Sequence, residues 1–153
     1  SQRGQPVAPA FEVAEQMLAT ATLTPADAAC YRARLVDQQA YQRNRAGDHG
    51  AALALYESLP ADDLHPFASY RRDAGRAFGY FRNGRTEEAL RLALQAIEHA
   101  GDGGYTRLRA MGLLLVARVQ GLPDGEVARA RARAIAQRLD DAELLARADR
   151  QAR

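Results

Sequence analysis

The sequence predicts an all-α fold, and three observations carry that prediction. Of its 153 residues, 33 are Ala and 18 are Leu, whereas Val, Ile and Thr together number only 13. Ala, Leu, Arg, Glu and Gln are strong helix formers, and the β-branched residues that fill pleated sheets are too few to build one. Apolar residues recur at helical spacing along nearly the whole chain. Gly and Pro fall between those stretches, where helices stop and start. The length suits one domain with a real core rather than two.

Each element follows in order. Ser1 to Ala10 has two Pro and no periodicity and reads as a linker or tail, which leaves 11–153 as the helical domain. A start at Ser1 rather than Met points to an excised or processed segment of a longer protein. A short helix from Phe11 to about Thr22 is marked by Phe11, Ala14, Met17 and Leu18. Thr24, Pro25 and Asp27 form a helix start, respectively a capping hydroxyl, a first-turn Pro and a favourable negative charge. That helix runs to about Ala46 and stops at Gly47. Asp48 opens another, to Ser58, which Pro60 ends. From Pro66 to Asn83 a helix buries Phe67, Tyr70, Ala74, Ala77, Phe78 and Phe81, and Gly84 closes it.

Thr86 is the expected cap of the next helix, with Glu87 and Glu88 in its first turn and Ala89, Leu90, Ala93, Ala96 and Ile97 on its apolar face. Gly101, Gly103 and Gly104 make a loop, and a helix from about Tyr105 to Gln120 ends at Gly121. Pro123 and Asp124 start one that carries Val127, Ala128, Ala132, Ile135 and Leu139. Asp140 and Asp141 introduce the last, with Leu144, Leu145 and Ala148. The total is eight helices joined by short turns.

Composition narrows function by exclusion. Twenty-one basic residues against nineteen acidic ones give a net charge of +2, too balanced for an obvious phosphate-binding stripe. Every basic residue is Arg, which with the Ala content reads as the coding bias of a GC-rich bacterial genome. Cys30 is alone and forms no intramolecular disulfide, so the compartment stays open. Apolar runs such as Leu113 to Ala117 are far too short to span a bilayer.

The turn glycines Gly47, Gly84 and Gly121 recur at intervals of 37 residues. Ala52-Leu53 and Ala89-Leu90 follow the first two by five residues, and Leu59 and Ala96 lie seven beyond each Ala. Counting Leu122-Pro123 as a two-residue insertion brings Ala128 and Ile135 into the same register. A small residue there lets paired helices approach closely, and a turn Gly supplies a positive φ. One hairpin cannot bury its own apolar faces, so copies must stack.

The best copy, Tyr80-Phe81-Arg82-Asn83-Gly84-Arg85-Thr86-Glu87-Glu88-Ala89-Leu90, resembles the tetratricopeptide (TPR) repeat family; Arg45 to Leu53 is similar but without the aromatic. The likeness extends from Ala29 to Asp149, but the family's signature Trp is absent and its customary Pro appears only as Pro60. It implies a right-handed superhelix of stacked antiparallel helix hairpins, about three TPR-like repeats plus flanking N- and C-terminal helices. It also implies a non-enzymatic protein- or peptide-binding scaffold, a regulatory or sensory domain of a larger bacterial protein. The first helix of each hairpin would line a concave groove through Arg34, Asp37, Tyr41 and Arg45, then Arg71, Phe78 and Arg82, then Met111, Leu115 and Arg118. Arg with aromatic residues suits an acidic peptide with aliphatic anchors. The family's carboxylate clamp needs a Lys that this chain lacks. Self-association through an exposed apolar end at Leu144-Leu145 is the alternative; nucleic-acid binding through the Val127 to Leu139 helix ranks below it.

Other residues invite sharper readings that blander ones outweigh. His49, His65 and His99 have no His or Cys partner at ligand spacing, so neither a metal nor a cofactor is expected. Cys30 lies on an Ala-rich face and reads as a packing residue. Asp62-Asp63 and Asp140-Asp141 each precede a helix, where capping explains them. Gly101 to Gly104 has neither the preceding strand nor the following Lys of a phosphate loop. Arg129 and Arg133 share one helix face and Arg131 and Arg138 another, so the densest basic cluster is split. Gly75 and Gly79 weaken their helix unless a neighbour packs closely there. No nucleophile, base and orienter assemble into an enzyme.

Overall fold

Residues 7–61 and 64–152 are described by a computed structural model, and every regular element among them is a helix. In chain order these are α1 (Val7–Thr20), α2 (Pro25–Arg45), α3 (His49–Glu57), α4 (Pro66–Arg82), α5 (Thr86–Asp102), α6 (Thr106–Gln120), α7 (Glu126–Arg138) and α8 (Ala142–Gln151). The capping chemistry read from the sequence is present at three of these starts. Thr24 accepts from the Asp27 N–H, Asp48 from Ala51 and Asp141 from Leu144.

Three starts differ from expectation. The segment expected as a tail is helical from Val7, because Pro9 lies in the first turn, where a helix does not use its N–H groups. Thr86 is the first residue of α5 rather than its cap, and Arg85 precedes it without a side-chain cap. α7 begins at Glu126, three residues after Pro123. Ser1 to Pro6 and Asp62-Asp63 lie outside the described residues.

The turns carry the repeat spacing into the backbone. Gly47, Gly84 and Gly121 have φ of 84°, 76° and 69°. At Gly47 and Gly84 the next N–H reaches five residues back, from Asp48 to Arg43 and from Arg85 to Tyr80, the hydrogen bond of a left-handed helix stop. Gly104 and Asp140 close α5 and α7 with the same pair of bonds. Gly121 departs from it: the chain continues through Leu122-Pro123 before α7 begins.

Packing runs in series. Each helix touches its sequence neighbours, and α2, α4, α6 and α8 also touch one another in turn; no two odd-numbered helices meet among the described residues. The core is correspondingly a string of small, alanine-rich clusters along that row. Ala52, Ala89 and Ala128 are all buried, as are Leu59, Ala96 and Ile135. Gly75 and Gly79 admit α3: a Cβ on Gly75 would meet the Tyr56 ring at 2.3 Å, and one on Gly79 would meet Leu53 at 2.9 Å. Leu144 is wholly buried beside Leu114 and Ile135, and Leu145 packs on the same cluster. The expected exposed apolar end at these two residues is therefore absent, because α8 lays that face on α6 and α7.

Candidate functional site

A groove of about 590 Å³ runs across the row of even-numbered helices. α4 and α6 form its floor, with Tyr70, Ala74, Phe78, Met111 and Leu115 facing the space. Tyr41 and Asn44 of α2 stand at one side, and Arg147, Arg150 and Gln151 of α8 at the other. Tyr41, Phe78 and Leu115, spaced 37 residues apart in the sequence, all line this groove.

Of the ten residues expected to line a groove, Tyr41, Arg71, Phe78, Met111, Leu115 and Arg118 share this one. The other four stand elsewhere. Asp37 is buried beneath the surface and binds Arg71. Arg34 stands 5.9 Å over the Phe67 ring, and Arg45 lies at the same distance from Tyr41. Arg82 is exposed at the end of α4, outside the groove.

Asp37 organises the α2 side. Its Oδ1 accepts from the Tyr56 hydroxyl at 2.7 Å, while Arg71 donates through Nε and Nη2 at 2.9–3.1 Å. Three helices are tied by one carboxylate. Burial pushes the Tyr56 phenol above its ordinary range, and the adjoining Asp37 charge adds to that. Burial likewise raises Tyr70, on the groove floor, to about 12. For Arg71 burial opposes the charged form, but the hydrogen bonds and charge of Asp37 prevail and hold its pKa up.

The electrostatics are one-sided. Four arginines line the groove, Arg71, Arg118, Arg147 and Arg150, and no carboxylate does so among the described residues. Asp37 neutralises Arg71, and Glu143 pairs with Arg147 at 2.8 Å on the same helix. Arg118 and Arg150 form no ion pair among the described residues. Gln151 Oε1 is shielded from solvent without a hydrogen-bond partner among the described residues.

The histidines have local work. His49 bonds Asn44 at 3.0 Å and meets Phe78 edge-on, His65 caps α4 through the Phe67 N–H, and His99 reaches Asp73 at 3.2 Å. Among the described residues no three His, Cys, Asp or Glu side chains gather closely enough to hold a metal. Among the described residues no helix is long and apolar enough to cross a membrane.

The α8 contribution was missed in the sequence. Its signal is the spacing of Leu144 and Ala148: once these face the core, Arg147, Arg150 and Gln151 fall on the adjoining face toward α6. No protein-family model, curated protein or solved structure matches this chain.

Proposed function

We propose that the chain is a non-enzymatic scaffold of TPR-like hairpins that holds an acidic, partly aliphatic peptide in the groove across α2, α4, α6 and α8. The reading takes α2–α3, α4–α5 and α6–α7 as three repeats, with α1 and α8 flanking them in a right-handed superhelix. The repeated turn glycines and the mutual contact of the even-numbered helices support it, since the more closely packed row lies on the inside of a curve.

One observation carries the ligand class: a groove with an apolar floor, four arginines and no carboxylate among the described residues. Arg118 and Arg150 supply unneutralised charge for acidic side chains, and the Tyr41, Phe78 and Leu115 stripe supplies contact for aliphatic ones. Regulatory or sensory use within a larger bacterial protein fits a domain whose chemistry is recognition.

The test is fluorescence anisotropy with a labelled peptide of alternating Glu and Leu and its Lys-Leu counterpart. The acidic peptide binds saturably, the basic one does not, and Arg118→Glu with Arg150→Glu weakens binding by about tenfold or more. Equal binding of the two peptides, or indifference to the double substitution, overturns the reading.

A further inference from the structure

A second opening lies away from the groove, where α5 and α7 fail to touch and α6 shows between them. This slot is about 790 Å³. Leu94, Ile97, Leu113 and Ile135 give it an apolar surface, and Leu94 is 49% exposed. Arg109, Arg131 and Arg138 surround it without a carboxylate partner among the described residues, and no carboxylate lines the slot there. The contrast within α7 is telling. Arg129 pairs with Glu126 and Arg133 with Asp149, so this helix is neutralised toward α8 and left bare toward the slot.

The complementary surface is on the same chain. Among the described residues α1 packs against α2 alone. Its free side carries Val13 and Met17, one helical turn apart and 54% and 66% exposed. Glu12 and Glu15 are its only charged residues. Its 14 residues span about 21 Å, close to the length of the 13-residue α7 that would flank it. α1 sits at one end of the row and the slot at the other, separated by α4, so the match cannot be made within one molecule.

We propose that α1 of one copy lies in the α5/α7 slot of a second copy, Val13 and Met17 on the apolar surface and Glu12 among Arg109, Arg131 and Arg138. Two copies exchanging α1 reciprocally close as a symmetric dimer. The helix-in-groove contact removes exposed apolar surface on both sides and sets a carboxylate among three bare guanidiniums. The peptide groove is not used, so this inference stands or falls independently of the proposed function.

Sedimentation velocity across a concentration series tests it. The native chain shows a monomer–dimer equilibrium, and Met17→Glu and Arg131→Glu each weaken dimerisation by about tenfold or more. Both residues are exposed, so circular dichroism of each variant matches the native chain. A monomer at every concentration, or a dimer indifferent to Met17→Glu or to Arg131→Glu, overturns the proposal.

Discussion

Arg71 on α4 grips Asp37 on α2 through three N–H···O contacts of 2.9–3.1 Å, and the two residues are 34 positions apart. Arg107 on α6 and Asp141 on α8, also 34 apart, make the corresponding link further along at 2.7 Å with the charges exchanged. Successive even-numbered helices are thus fastened at both ends of the row by ion pairs, and Tyr56 adds α3 to the first of them.

Asp37→Ala leaves Arg71 and the Tyr56 hydroxyl without their acceptor in a largely buried place. The expected loss is about 2–3 kcal/mol, less than for a fully buried pair because Arg71 retains some contact with water. Urea unfolding measures it, and Tyr56→Phe, which removes only one donor, loses less.

Gly75→Ala drives a methyl into a Tyr56 ring that its own hydroxyl bond anchors, at an expected cost of about 1–3 kcal/mol. Gly101→Ala, inside α5 with nothing within 4 Å of the new carbon, instead stabilises by about 0.4–1 kcal/mol. Opposite shifts in thermal midpoint separate a packing glycine from a dispensable one.

Leu144→Ala opens a cavity between α6, α7 and α8, with an expected loss of about 2–5 kcal/mol. Leu145→Ala, at a partly buried position, loses less, and denaturant midpoints order the two.

Alkali unfolds the protein through its buried phenols. Tyr56 and Tyr70 have folded pKa values raised above the ordinary 10.0, Tyr70 to about 12, chiefly because burial disfavours phenolate. Their stabilising contribution is complete below pH 10 and is lost as pH rises toward and through the folded values. Absorbance titration of tyrosinate shows two of the six tyrosines ionising late. In a Tyr56→Phe, Tyr70→Phe chain that late step is absent.

Much of the fold was legible because its signals are local. Thr24, Asp48 and Asp141 cap by short-range chemistry, and the 37-residue glycine period marks backbone conformations that each turn imposes for itself. The groove was legible in part. The family resemblance implied a face bearing Tyr41, Phe78 and Leu115, and these three line the groove, yet it gave no means of seeing that Asp37 and Arg71 would satisfy each other across two helices. Arg71 is consequently a structural fastening as much as a ligand contact, and Arg118 and Arg150 are the cleaner probes of charge. Arg147, Arg150 and Gln151 escaped notice because α8 was read only by its apolar residues.

Contacts that never reach beyond the second helix along have a mechanical consequence. A tilt at one joint is not cancelled by a closing contact elsewhere, so small rotations at successive turns add up along the array. The width of the groove is then an elastic quantity, shared among several joints, and it changes by bending rather than by breaking any single interface.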